Sequence, residues 1–289
     1  MLDALIYGLI NGLILALITA GFTLCYSVSR LPNFAHGALY ILAGLVAWTL
    51  FNSLGLNYVL SVFCSLISTA FIGAAIYWLL VMRVRGMEAS EIIVTFAVAL
   101  LMMEVLRYLG FVGPKFTLPV FVSGSIDILG VTVDYHRWVI VALTAALMLF
   151  LWFFTHNTKV GLALRAIAQD ERAAMMLGID SDLVASLSLA FGSALAALAA
   201  IIVLPLGAIT VETGYSVLIM AVAVAILGGL GSMGGTFIAA LLLGFSQQFA
   251  MKLVGPQYSM VVFMAAIVLV LIIKPSGIFG KTKELEERV

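Results

Sequence analysis

Between two strongly apolar runs the chain carries His156-Asn157-Thr158-Lys159-Val160-Gly161-Leu162-Ala163-Leu164-Arg165-Ala166-Ile167-Ala168-Gln169-Asp170-Glu171-Arg172-Ala173-Ala174-Met175-Met176-Leu177-Gly178-Ile179-Asp180. The flanking runs, 138–155 and 183–207, are each close to the roughly 20 apolar residues that a helix needs to cross a bilayer core. Two spans that simply turned round would need only a few residues here. The polar island instead has helical spacing over 161–177 and stops at Gly178. On that helix Leu162, Ala166, Gln169, Ala173 and Met176 share one stripe, while Arg165, Asp170, Glu171 and Arg172 lie largely elsewhere. Ala166, Ala168, Ala173 and Ala174 favour a short rigid helix. The pattern predicts an all-α integral membrane protein with one protruding amphipathic helix between spans 5 and 6.

Composition outward from the island agrees. Of 289 residues, 64% are hydrophobic and 10% charged, too few charges to clothe a soluble surface. Lysine plus arginine and aspartate plus glutamate number 14 each, so the formal net charge is zero and gives no electrostatic basis for binding nucleic acid. Cys25 and Cys64 lie inside apolar runs and read as small buried hydrophobes, with no disulfide framework and no metal site. The first apolar run has no basic start and is long, so it is expected to remain as a span and not to be cleaved as a leader.

The runs of spanning length fall at about 4–28, 38–55, 58–81, 91–112, 138–155, 183–207, 215–230, 235–252 and 258–273, which gives eight or nine spans. The weakest is 38–55, broken by Asn52 and Gly55. With the carboxyl end inside, the inner side holds Arg30, Arg83, Arg85, Lys159, Arg165, Arg172, Lys274, Lys281, Lys283 and Arg288. The outer side holds Lys115, Arg137 and Lys252. Positive charge thus places the amino end outside and the carboxyl end in the cytoplasm, a parity that nine spans satisfy. Residues 1–280 form one membrane domain, followed by a short charged cytoplasmic tail at 281–289. The outer loop at 113–137 carries Pro119, Gly124 and two β-like runs, Ile126–Leu129 and Val131–Val133, around Gly130, the pattern of a small hairpin.

No catalytic constellation emerges. His36, His136 and His156 have no metal-ligand spacing. The run from Pro275 to Thr282 ends like a phosphate-binding loop but lacks its first glycine, and reads as a helix stop and basic anchor. No cofactor is expected. Glu104 and Arg107, three residues apart on one helix face, read as a mutually neutralised pair near the outer end. Arg30 to Ala38 interrupts two apolar runs with Pro32 and Gly37. Broken backbone at membrane depth is tolerated along a substrate path, but an ordinary turn capped by Asn33 fits equally. Asn33, His36 and Gly37, with Gly228, Gly229 and Gly231 of the glycine-rich turn 228–235, are therefore the candidate lining of a translocation path. The G-x-x-x-G steps Gly8/Gly12 and Gly231/Gly235 suit close helix packing.

Four pieces in this order carry a resemblance: Asn33-Phe34-Ala35-His36-Gly37; Arg165-Ala166-Ile167-Ala168-Gln169-Asp170 through Gly178-Ile179-Asp180; Leu227-Gly228-Gly229-Leu230-Gly231-Ser232; and Lys274-Pro275-Ser276-Gly277-Ile278-Phe279-Gly280. Ala173-Ala174-Met175-Met176-Leu177-Gly178 has the A-A-x-x-x-G spacing of the coupling loop of ABC importers, with Arg172 where a glutamate is usual. The chain resembles the permeases of the branched-chain amino acid ABC importer family, the LivH type. That resemblance implies a non-enzymatic subunit of the bacterial inner membrane, working with two cytoplasmic ABC ATPase subunits, a homologous second permease or second copy, and a periplasmic substrate-binding protein. It implies that Arg165, Ala166, Gln169, Asp170, Ala173, Ala174 and Gly178 couple to the ATPase. It also leaves urea or short amides as alternative substrates. An ion-coupled secondary transporter or channel is the rival class, but it would want intramembrane ionisable residues, of which only Glu104 and Arg107 are on offer.

Overall fold

The computed structural model describes residues 1–30, 32–111, 116–128 and 130–280. Leu31, Lys115, Leu129 and the predicted tail 281–289 lie outside the described residues. Thirteen elements follow in order: α1 (Leu2–Ser29), α2 (His36–Trp48), α3 (Tyr58–Leu79), α4 (Glu88–Tyr108), β1 (Ser125–Ile128), β2 (Val131–Asp134), α5 (Tyr135–Asn157), α6 (Lys159–Gln169), α7 (Glu171–Met176), α8 (Ser181–Val203), α9 (Val211–Gly228), α10 (Met233–Leu253) and α11 (Ser259–Ile273). β1 and β2 pair antiparallel, with Ile126 opposite Val133, as the hairpin pattern predicts. Thr158, Asp170, Asp180, Thr210 and Ser232 each start a helix by accepting the backbone N–H three residues on.

Among the described residues, eight helical segments are long and apolar enough to cross a membrane. This is a multi-pass membrane protein. In α1 and α8, 67% of the most apolar window is buried inside the chain, against 28% in α10 and 6% in α11, so α1 and α8 form the centre and the others surround them. Phe71, Leu149, Trp152 and Ile272 are more than three-fifths exposed. A belt of such side chains is tolerable only where lipid replaces water around it.

The close approaches of the central helices are made by glycines. A Cβ on Gly244 of α10 would fall inside the backbone of Gly12 of α1, and one on Gly8 would strike Phe245. The Gly8/Gly12 step is thereby explained as the α1–α10 seam. Gly21 of α1 and Gly192 of α8 abut each other in the same way. Within the α1–α10 seam, the buried hydroxyls of Thr23 and Thr236 share a hydrogen bond of 3.1 Å.

The predicted span 38–55 is an interior helix. α2 begins at His36 and continues as a π-helical turn over Thr49–Ser53, packed against α3, α4, α8 and α9 with most of its residues buried. His36 Nε2 lies 2.9 Å from the carbonyl of Ile18, eleven residues before the end of α1. At 1.5 Å per residue, α2 therefore starts about 16 Å inside the layer. Residues 32–35, with Asn33 and Ala35 buried, lie inside the protein before the helix begins. Cys25 is fully buried, whereas Cys64 is half-exposed on α3, against the expectation that both are buried.

Contacts between helix termini define two ends. At one, the basic end, Arg30 donates to the carbonyl of Ala168 and Arg85 meets Glu171. At the other, the hairpin end, Lys252 pairs with Asp3 at 2.7 Å and the Tyr7 hydroxyl donates to the carbonyl of Thr132. Arg107 lies 3.8 Å from Glu104, as expected, and 3.6 Å from Glu212 of α9. All three side chains are substantially exposed, which makes the cluster a surface tie and not a buried charge relay.

Candidate functional site

The polar island folds at the basic end, but not as the single helix expected over 161–177. Asp170 takes an extended conformation (φ −154°, ψ 106°) that ends α6 and starts α7, its carboxylate accepting the N–H of Ala173 at 3.0 Å. An aspartate that caps its own backbone competes with helix continuation, a local preference that outweighs the run of alanines. Of the stripe marked in the sequence, Leu162, Gln169 and Met176 are exposed and Ala166 and Ala173 half-buried. Leu164, Ile167 and Ala174 are buried against Val28 of α1 and Val184 of α8, while Leu162 is 59% exposed and Met176 and Leu177 are each 82% exposed. The chain turns away from α7 at Gly178, whose φ of +84° suits glycine and around which a side chain would meet nothing within 4 Å.

The candidate coupling residues divide accordingly. Ala174 is buried beneath α7; Arg165, Ala166 and Ala173 are half-buried; Gln169, Asp170 and Gly178 are exposed. Arg165 and Gln169 line a groove of about 560 Å³ between the end of α1, α5, α6 and the α9–α10 turn. Gly231 and Ser232 line the same groove, so one path candidate lies beside two coupling candidates. Gly228 and Gly229 are spent on packing: Gly228 abuts Gly235, and Gly229 receives the returning strand of residues 277–280. There Ile278 and Phe279 donate to the carbonyls of Leu227 and Gly228.

Asn33, His36 and Gly37 lie deeper, between α1, α8 and α9. The Asn33 side chain accepts the N–H of Ala35 at 3.0 Å, the turn-capping role anticipated as one of its two readings, and its amide nitrogen stays buried without a partner among the described residues. His36 is fully buried, edge-on to Phe22 at 5.9 Å, and Gly37 abuts the carbonyl of Gly214. Asn33 also lines a separate cavity, of about 530 Å³, that reaches Glu91, Thr95 and Leu189.

A cluster centred on Arg85 holds the island to the spans, and nothing in the sequence singled it out. Arg85, in the turn between α3 and α4, reaches Asp182 of α8 through Nη1. Through Nη2 it reaches Glu171 of α7, at 2.5 Å, and Ser181. Ser181 also donates to Glu171, and the Tyr77 hydroxyl of α3 donates to Asp182 at 2.7 Å. Burial works against the guanidinium charge, but Tyr77, Asp182 and Glu171 outweigh it and hold the Arg85 pKa above its ordinary value. Four elements are thereby joined by charge-assisted hydrogen bonds at one residue. By sequence Arg85 is one basic residue among several at this end; its partners lie 86 and 97 positions away, and only the fold brings them together.

Comparison with known proteins decides what this architecture belongs to. Residues 4–271 match the family model described as branched-chain amino acid transport system / permease component. The chain belongs to this family. It is 31% identical to the high-affinity branched-chain amino acid transport system permease protein BraD of Pseudomonas aeruginosa, over 97% of this chain and 96% of that one. Identity to the Escherichia coli K12 permease protein LivH is 28% with the same coverage. Against the probable branched-chain amino acid transport permease protein LivH of Methanocaldococcus jannaschii it is 26%, over 92% and 89%. Among solved structures, PsaBC from Streptococcus pneumoniae in complex with Fab has a TM-score of 0.52 at 14% identity, covering 98% of this permease and 94% of that chain, a likeness of fold alone.

Proposed function

We propose that this permease sits in a bacterial inner membrane and forms part of the path of an ABC importer that moves branched-chain or other hydrophobic amino acids from periplasm to cytoplasm. The observation that carries the proposal is the family match over nearly the whole length, with relatives named for that transport. The basic end faces the cytoplasm, since Arg30, Arg83, Arg85, Lys159, Arg165, Arg172 and Lys274 gather there and positive charge favours the inner side. There the α6–α7 element docks on separate ATPase subunits, with Arg165, Ala166, Gln169, Asp170, Ala173, Ala174 and Gly178 in or beside the contact. The exposed Met176 and Leu177 at its tip supply an apolar anchor such a contact would cover. Closure of the ATPases pushes α7, and the Arg85 cluster passes the push to α3, α4 and α8. A second permease and a periplasmic binding protein complete the assembly, and ATP is hydrolysed only on the partner subunits. Asn33, His36, Gly37, Gly228, Gly229 and Gly231 lie along the moving path or its packing.

A mild-detergent pull-down of the tagged chain from native membranes tests this directly. Co-purification of two nucleotide-binding subunits and a second permease is the expected result. A chain recovered alone, under conditions that keep a known importer whole, would overturn it in favour of a self-sufficient transporter.

A further inference from the structure

The groove beside α6 runs down into the membrane layer from the basic end. Its volume of about 560 Å³ is walled by Leu24 of α1, Met148, Leu151 and Trp152 of α5, and Phe237 of α10. From His156 back to Met148 the α5 wall descends eight helical steps, about 12 Å, most of the roughly 15 Å of hydrocarbon in one leaflet. Trp152 is 62% exposed and stacks on His156, with ring centroids 5.2 Å apart. Its neighbours Leu149 and Phe153 are also more than half exposed. The groove therefore opens sideways onto an apolar face of the kind that lipid covers, with an indole at the interfacial level.

The head of the groove is basic. Arg30 and Arg165 line it, and no carboxylate is among its described lining residues. Arg30 donates to the carbonyl of Ala168, which ties α6 to the end of α1. Arg165 is held differently. Its side chain is half-buried, its Nε is buried, and it makes no hydrogen bond or ion pair among the described residues. A guanidinium withdrawn from water without a counter-ion is unfavourable, so its charge calls for a partner from outside the chain. That partner must carry an anion at the level of Arg165 and hydrocarbon below it. A soluble anion would leave the apolar wall bare, and a zwitterionic headgroup would bring an ammonium that no acid in the groove meets.

We propose that this groove seats an anionic phospholipid from the leaflet at the basic end. Its phosphate pairs with Arg165, Arg30 adds a second positive charge, and one acyl chain lies on Leu24, Met148, Leu151 and Phe237. Seated so, the lipid braces α6 against α1 and α5, beside the proposed ATPase contact. The site needs the spans in a bilayer and nothing of the transported substrate, so it goes beyond the importer reading and does not depend on it.

Photolabelling tests this in the full chain, purified with any subunits that accompany it and reconstituted in phosphatidylcholine vesicles. A trace of phosphatidylglycerol with a diazirine on its acyl chain is cross-linked by light, and the labelled peptides are mapped by mass spectrometry. Trace phosphatidylcholine with the same diazirine gives the comparison. Ile272, 74% exposed near the end of α11, reports ordinary boundary lipid at the same end. Relative to Ile272, residues 148–152 should take phosphatidylglycerol at least about fivefold over phosphatidylcholine, the ratio for one basic side chain at an anionic headgroup. Arg165→Gln should lower that preference about fivefold, and Arg165→Lys, which keeps the charge, should retain most of it. Unchanged labelling at Ile272 shows that each variant still spans the bilayer. A groove left unlabelled, labelled no more selectively than Ile272, or equally selective in Arg165→Gln would each overturn the site. So would an equal loss in Arg165→Lys, or labelling suppressed by soluble glycerol phosphate, which would make the occupant a free anion.

Discussion

Replacing Arg85 by glutamine removes the guanidinium that joins α7 and α8 to the α3–α4 turn, and the structure sets the size of the effect. The Arg85 side chain is 27% exposed, that of Glu171 48% and that of Asp182 36%. A solvent-exposed ion pair contributes about 0.2–1 kcal/mol, and breaking a fully buried one costs about 3–5 kcal/mol. These pairs lie between those limits, and Asp182 keeps the Tyr77 hydroxyl when the arginine is gone. A loss of about 2 kcal/mol in the docking of α7 follows. At 1.4 kcal/mol per tenfold, the undocked state of α7 becomes roughly 30-fold more populated. Hydrogen exchange followed by mass spectrometry reads that population, because the N–H groups of Ala174 and Leu177 bond within this short helix. Exchange in the Ala173–Leu177 peptide should rise by about the same factor, roughly 30-fold, with the centre of α1 unchanged. Arg85→Lys keeps the charge without the fork and should recover part of the protection. If the Arg85→Gln peptide exchanges at the wild-type rate, the ion pairs do not hold α7, and transmission through this cluster fails with them.

Three further outcomes follow from the packing and caps. Thr23→Val leaves the buried Thr236 hydroxyl without its partner and should lower stability by about 1–3 kcal/mol, whereas Thr23→Val with Thr236→Val should be nearly neutral in detergent melting; a double variant as damaged as the sum of the singles would deny the bond. Gly244→Ala forces a methyl into the backbone of Gly12 and should cost about 1–3 kcal/mol, seen as a lower melting temperature and separation of α1 from α10 by cysteine cross-linking. Gly178→Trp meets open space, so its penalty is the left-handed backbone alone, about 1–2 kcal/mol; the chain should still fold and assemble while uptake is lost, and unaffected uptake would remove α6–α7 from the coupling role.

Most of the membrane architecture was legible in the sequence because it rests on local facts. A long apolar run must be helical to satisfy its own backbone in lipid, so the spans, the hairpin around Gly130 and the family-bearing motifs could be read residue by residue. The glycine steps announced close packing but not their partners, since a small residue says that something approaches without saying what. The break at Asp170 was missed because helical periodicity over 161–177 and the capping ability of one aspartate compete, and only the docked position of Leu164 and Ile167 decides between them.

What the sequence alone determined, then, is the solvent this protein lives in, where most of its apolar helices run and the family to which its motifs point. Tertiary structure alone decided that α2 begins inside the layer, that Arg85 gathers Glu171 and Asp182, and that Arg30, Trp152 and Arg165 line one groove. The physical reason is range. Burial of a hydrophobic run in lipid is fixed by neighbours along the chain, whereas ion pairs and cavities depend on groups about a hundred or more positions apart that meet only when helices pack.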